Sequence, residues 1–538
     1  MFDFNSKKFS SQRRVVLGRR GMVAATQPLA ASSGLRMIQS GGNAYDAALA
    51  CAAALTVVEP TSNGLGGDCF ALFSRDGEIK GMNSSGWLPE DFNRSEIDNL
   101  SRKKDQLDPY SWEAVTIPGQ LAGWKYLKDE YGSLSWQEIL KPAIELAEKG
   151  FPVSPVVAEC WNKELNDYKD NLSRDHLQTF LETFTVEGRA PAAGEIWKCQ
   201  DQARTLKILA DEGMRCFYEG RLAERIAAHS SRTEGYISED DLEKFSPNPV
   251  DPLSIDYRGH KIYELPPNGQ GLIALQSLKI LQDYGFDCVN DPAEVHLQIE
   301  ALKRAFADGE KYIADPEFFG LNPEKLLDDD YIDDKRKNIT DSAQIPRPGN
   351  IDKGGTVYLA AADHSGNMIS FIQSNYKGFG SGIVIPGTGI ALHNRGCNFT
   401  LDKKSANYPE PGKKPYHTII PGFYSSPAGS LQGPFGVMGG FMQPQGHLQV
   451  LQKMIDYDLN PQEALDAPRW CWQDDNHVLF EPEFDHDILN KLAKRGHEVE
   501  YGLDRSVFGR GQIIFKDMAD NTLIGAAESR ADGQVAVY

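Results

Sequence analysis

A glycine pair, Gly354-Gly355, opens straight onto Thr356 and the apolar run Val357-Tyr358-Leu359-Ala360-Ala361-Ala362-Asp363, so Thr356 stands where a loop becomes a strand. Taken alone, such a junction is either an ordinary turn or a place to hold a nucleophile. Threonine is a poor nucleophile at its own pKa. One way to activate it is to make it the first residue of a chain, with its free α-amine as general base. An unperturbed α-amine titrates at about 7.7–8.0, which suits that task near neutral pH. The peptide bond between Gly355 and Thr356 would then have to be cut.

The residues that follow decide between the two. His364-Ser365-Gly366-Asn367 has good turn chemistry and leads to Met368-Ile369-Ser370-Phe371-Ile372, completing a hairpin. Downstream come Gly378-Phe379-Gly380-Ser381-Gly382-Ile383, then Gly387-Thr388-Gly389-Ile390-Ala391-Leu392-His393-Asn394, then Met438-Gly439-Gly440-Phe441-Met442-Gln443-Pro444-Gln445-Gly446-His447. In this order they resemble the γ-glutamyltransferase family of N-terminal nucleophile hydrolases, and the Met-Gln-Pro-Gln-Gly-His version is similar to its acylase-like branch. The loop Asn63-Gly64-Leu65-Gly66-Gly67-Asp68 resembles the family's glycine-rich signature. It has neither the P-loop Lys-Ser/Thr nor dinucleotide spacing, which excludes a phosphate loop.

The resemblance implies an α+β fold, the four-layer αββα sandwich of N-terminal nucleophile hydrolases. It implies a precursor cut between Gly355 and Thr356 into a large subunit, 1–355, and a small one, 356–538, held in one interleaved domain. Thr356 would serve as nucleophile and α-amine base. Ser374 falls at a hydroxyl position close to the nucleophile, where it either orients Thr356 or is simply a strand-end serine. The backbone amides of Met442 and Gln443 fall where the family holds the oxyanion of the tetrahedral intermediate, a role that does not depend on side chain.

Departures concentrate in the substrate positions. The arginine for a γ-glutamyl α-carboxylate falls at Ser85, the acid for the α-amine at Asn398, and the glutamine before it at Arg395. The paired serines fall at His417 and Thr418. Neither Ser85 nor Asn398 can replace a charged partner. Arg395 suits either a substrate carboxylate or a loop salt bridge. His417 is not needed as a general base, because the α-amine already fills that role.

Composition limits the partners. A formal net charge of −20 excludes nucleic acid and anionic membranes, which reward basic surfaces, and leaves a small-molecule amide as substrate. The eight cysteines are scattered with no Cys-x-x-Cys pair and read as reduced. Met1 to Arg20 has no apolar signal core, so the chain reads as cytoplasmic. No His-Glu-x-x-His or paired-cysteine metal site is present, no cofactor is called for, and no Gly-x-Ser-x-Gly elbow marks a serine hydrolase.

Helix signals fall at Pro28 to Gln39, at 45–58 behind an Asn43 cap, through a helical middle (121–130, 136–148, 155–168, 202–212), and at 446–456. From 322 to 355 the composition turns to Asp, Lys, Pro and Gly and reads as a solvated, mobile linker, without calcium-loop spacing. Three functional readings follow. The first is a self-processing γ-glutamyltransferase or glutathione hydrolase-like amidase. The second is an amidohydrolase for small carboxylated amides of glutaryl or oxamate type, and the third an uncleaved binding protein on the same scaffold.

Overall fold

Along the strand Gly355–Asp363 the side chains alternate between two apolar clusters. Val357, Leu359 and Ala361 enter one, Tyr358, Ala360 and Ala362 the other. A strand buried on both faces must lie between two layers. The first cluster is completed by helices Pro28–Gln39 and Ala44–Val58, the second by a facing sheet that contributes Phe423, Met438, Ile514 and Leu523. Beyond that sheet, Phe435, Val437, Ile513 and Phe515 pack on helices Gly271–Leu281 and Met442–Ile455. The order helix, sheet, sheet, helix is the four-layer α+β sandwich expected from the sequence. The computed structural model describes residues 13–318, 320, 322–345 and 355–538.

The sheet that carries Thr356 runs Gln534–Val537, Gly21–Ala25, Gly355–Asp363, Met368–Tyr376, Asp68–Arg75, Glu78–Ser84, Asn248–Val250, all antiparallel. The facing sheet runs Val16–Gly18, Leu523–Ala527, Arg510–Asp517, Leu431–Met438, Gly422–Ser425, His260–Glu264, Leu253–Tyr257. Both halves of the sequence feed both sheets, so a cut before Thr356 would leave two pieces sharing one core.

Local chemistry explains the supports of the Thr356 strand. Helix Ala44–Val58 is buried over all 15 residues, and its alanines let it lie close on the sheet. Asn43 and Asp46 form a capping box at its start, and the amide of Ala44 donates to Asp363 Oδ2 at 2.9 Å. The other oxygen of Asp363 accepts from the amides of Ser365 (2.9 Å) and Asn367 (3.1 Å), with Gly366 at φ 93°, closing the hairpin to Met368–Tyr376.

Part of the linker reading needs correction. Pro323–Leu327 is a 3-10 turn and Asp329–Lys337 an α-helix, with Leu326, Leu327 and Ile332 buried against helix Gly271–Leu281. The acids read as solvated are partly paired: Asp329 with Lys279 (2.6 Å) and Asp333 with Arg336 (2.7 Å). Two leucines of the turn and one isoleucine of the helix, buried together, outweighed the acidic composition. Residues 346–354, including Asp352-Lys353-Gly354, lie outside the described residues, as do 1–12. Among the described residues no helix is long and apolar enough to cross a membrane, and no disulfide joins any of the eight cysteines.

Candidate active site

One row of polar side chains crosses the end of the Thr356 sheet. Pairing slips at a bulge between Gly355 and Val357, which sets Thr356 beside Ser374. Ser374 in turn stands opposite Asp68 at the head of the next strand. The Thr356 and Ser374 hydroxyl oxygens are 3.2 Å apart. Ser374 donates to the carbonyl oxygen of Gly355 at 2.8 Å and accepts from the amide of Tyr376 at 2.8 Å. A hydroxyl has one proton, so Thr356 must be the donor to Ser374. The three groups form a chain from the threonine hydroxyl, through the serine, to the carbonyl of the preceding residue. Thr356 is fully buried in this uncut chain. A Cβ on Gly355 would meet the Thr61 carbonyl oxygen at 3.1 Å and Ser62 Cα at 3.3 Å, so a larger residue there would press on backbone.

Arg395 closes the row from the short 3-10 turn Arg395–Asn398. One terminal nitrogen donates to Ser374 Oγ (3.2 Å), the other to Thr418 Oγ1 (2.6 Å), and its Nε has no hydrogen-bond partner among the described residues. The guanidinium carbon lies 4.4 Å from the ring centroid of Tyr376, which adopts φ 75°, a conformation bulky residues avoid. Arg395 is completely buried, and no ion pair joins it to a carboxylate among the described residues. Burial holds its pKa down to about 10, opposed chiefly by Asp68, so it remains a cation at neutral pH. The loop salt bridge considered from sequence is not formed; the side chain points its charge at the row.

Asp68 was not singled out by the sequence reading. Its Oδ1 accepts from the amide of Gly119 at 3.0 Å and its Oδ2 from His417 Nε2 at 3.1 Å. Burial pushes this carboxyl up to about 7, opposed chiefly by the charge of Arg395. His417 Nδ1 accepts from the amide of Ile419 (3.3 Å), which fixes the proton on Nε2, and burial keeps the ring neutral. His393 is also neutral: its Nδ1 accepts from the amide of Arg395 (3.2 Å) and its Nε2 donates to the Thr116 carbonyl (3.0 Å). Its 3.8 Å approach to Asp68 is therefore not an ion pair. A signal for Asp68 was available: an acid after Gly66-Gly67, at the head of the apolar run Cys69-Phe70-Ala71-Leu72-Phe73, is an ionisable group led into a core.

The remaining positions divide. Ser85 sits one step away, donating to Asn83 Oδ1 (2.7 Å) and accepting from Asn268 Nδ2 (3.3 Å), whose carbonyl accepts from the amide of His417. The Asn398 side chain has no hydrogen bond to the row among the described residues: its backbone carbonyl accepts from Asn407 Nδ2 at 2.7 Å, and its own Nδ2 is buried without a partner there. The helix expected at 446–456 begins four residues earlier, at Met442, because Pro444 falls in its first turn, where a missing N–H costs little. Met442 and Gln443 thus present first-turn amides, each already donating within the turn, to Gly439 (3.0 Å) and Gly440 (3.2 Å). Elsewhere, His296, Glu300 and His497 bring ligand atoms within 4.8 Å of one another. Glu300 is already paired with Lys303 and Arg304, both at 2.8 Å, and two adjacent cations oppose a metal ion.

Comparison with known proteins agrees with this architecture. The family model described as gamma-glutamyltranspeptidase matches residues 30–538. The glutathione hydrolase-like YwrD proenzyme of Bacillus subtilis is 35% identical over 96% of this chain and 98% of its own length. The oxamate amidohydrolase proenzyme of Klebsiella pneumoniae is 32% identical over the same shares. Among solved structures, the crystal structure of cephalosporin acylase from Bacillus halodurans superposes with a TM-score of 0.96 at 48% identity, covering 100% of this chain and 99% of that one.

Proposed function

Because the chain belongs to the gamma-glutamyltranspeptidase family, we propose that it is a self-processing amidase whose preferred acyl donors carry a carboxylate on the acyl side. The observation that carries the substrate reading is Arg395, a buried cation without an acidic hydrogen-bond partner, sharing Ser374 with Thr356. Each lies 3.2 Å from that hydroxyl, so one small acyl group can touch both nucleophile and guanidinium.

Processing comes first. Thr356 Oγ attacks the Gly355 carbonyl carbon, its proton passing to Ser374 as Ser374 gives its own to the developing oxyanion, and that proton reaches the Thr356 nitrogen as the carbonyl re-forms. The Gly355–Thr356 C–N bond breaks as the acyl group moves to oxygen, and water opens the ester. The large subunit then ends at Gly355, and Thr356 gains a free α-amine. Relatives named as proenzymes support this step. Ser374→Ala is expected to slow cleavage by about 10²-fold or more, the scale for loss of one oxyanion donor, read as the time course of intact chain on denaturing gels.

In the processed enzyme the α-amine takes the proton as Thr356 attacks the substrate amide. The acyl-enzyme then passes its acyl group to water or an amine. Oxyanion donation would fall to the amides of Met442 and Gln443, shared with their turn bonds. Nucleophile, base and donors are all protein groups, so no cofactor is required. Cytoplasmic residence belongs to the same proposal, supported by eight cysteines that form no disulfide among the described residues.

This reading places small carboxylated amides ahead of γ-glutamyl donors. An α-ammonium group would face Arg395 and find only a neutral amide at Asn398, while Asp68 already accepts from His417 and Gly119. The test is a panel on processed enzyme: oxamate, succinamate and glutaramate against propionamide and a γ-glutamyl anilide. At least one anionic amide should exceed propionamide in kcat/KM by about 10²-fold or more, the scale for a buried charged hydrogen bond. Preference for the γ-glutamyl anilide would restore the glutathione hydrolase-like reading.

A further inference from the structure

Asp68 faces Arg395 on the row where the substrate carboxylate would sit, and the groups around it fix its possible charge states. From the turn at 393–395 come neutral His393 and cationic Arg395. The 414–417 segment brings Lys414 and neutral His417. Cys69 beside it on its own strand and Tyr218 across from it are uncharged, because burial raises both far above neutral pH. The amides of Gly119 and Gly86 hydrogen-bond to the carboxylate.

Arg395 and an ionised Asp68 therefore balance, while Lys414 has its chief counter-charge in Asp315. An anionic acyl group arriving at Arg395 puts two carboxylates on one guanidinium in a water-poor site, the situation in which two acids come to share one proton. We infer that Asp68 is a specificity-determining residue, and that an anionic acyl group binds Arg395 only as the Asp68–His417 pair takes up one proton. This rests on the carboxylate reading of Arg395 given above. The geometry locates the uptake on Asp68: His417 Nε2 already fills its bond to Oδ2 with a proton and Nδ1 accepts from Ile419, so the added proton takes a free lone pair of the carboxylate. Burial, opposed chiefly by the charge of Arg395, leaves the Asp68 carboxyl at about 7, within reach of that exchange at working pH.

Sign and size follow. Below about pH 7 the pair is already protonated and affinity for an anion is flat. Above it, affinity falls about tenfold per pH unit as a proton must be supplied with each ligand. Neutral amides need no proton and show no such slope.

The experiment is calorimetric titration of processed wild-type enzyme with pyruvate and levulinate from pH 6 to 8.5. These keto acids match oxamate and succinamate in shape, stay ionised throughout, and have no amide to cleave. Two buffers of different ionisation heat give the protons taken up. The expected result is uptake approaching one proton at pH 8, with the tenfold slope. Asp68→Asn should bind with a flat profile, no uptake, and affinity at pH 8 at least equal to wild type. Binding by wild type without proton uptake would overturn the inference and leave the carboxylate reading standing. Failure of either acid to bind at any pH would overturn both. The Thr356 α-amine also titrates near pH 8, so uptake counts for the inference only where the Asp68 substitution abolishes it; should Asp68→Asn not fold, Asp68→Ser takes its place.

Discussion

Thr356→Ala is expected to remain one 59.6 kDa chain and to lose amidase activity about 10⁴-fold or more, to the background of the assay. The substitution removes the attacking oxygen of both reactions while leaving the scaffold in place. The lost hydrogen bond to Ser374 is worth only about 1 kcal/mol, and the strand is held by its apolar alternation and two neighbouring strands. Thr356→Ser keeps an oxygen beside Ser374 and should still cut, giving two fragments and partial activity. Circular dichroism and a denaturation midpoint close to wild type would separate loss of chemistry from loss of fold.

Arg395→Met is the second large effect. Methionine fills much of the space of the stem but offers nothing to a carboxylate, so kcat/KM for the best anionic amide should fall by about 10²–10³-fold. For propionamide it should change by only a few-fold. Arg395→Lys returns the charge without the planar fork that reaches Ser374 and Thr418 together, and should recover only part of the loss. An equal fall for anionic and neutral amides would assign Arg395 to the nucleophile's support rather than to the acyl group. Processing should continue in both variants, since the proton chain from Thr356 through Ser374 to Gly355 does not pass through the guanidinium.

The legible parts of the chain are those where one local rule acts alone. Asn43 before an alanine-rich run gave its helix to within a residue, and the Asp363–Asn367 turn gave its hairpin, because caps and turns depend on neighbours in sequence. Thr356 and Ser374 were legible through family resemblance, and their hydroxyls stand 3.2 Å apart, though neither periodicity nor composition shows it. Asp68 was passed over because its partners lie far along the chain. Gly119, Arg395 and His417 reach it from separate loops, and one sequence carries no trace of that convergence. The helix at Asp329–Lys337 was missed for the opposite reason: its acids are conspicuous in sequence, whereas its one buried face rests on Ile332 and the leucines just before it. Arg395 could be read two ways until its surroundings were seen, since a salt bridge and a substrate site ask for the same residue.

The most direct test of the central claim is intact-mass measurement of the purified wild-type protein, with N-terminal sequencing of any small fragment. The account predicts two masses that together make up the whole chain, the smaller beginning Thr-Val-Tyr-Leu at Thr356. A single uncut mass after prolonged incubation of the folded protein, or a fragment beginning at any other residue, would contradict it.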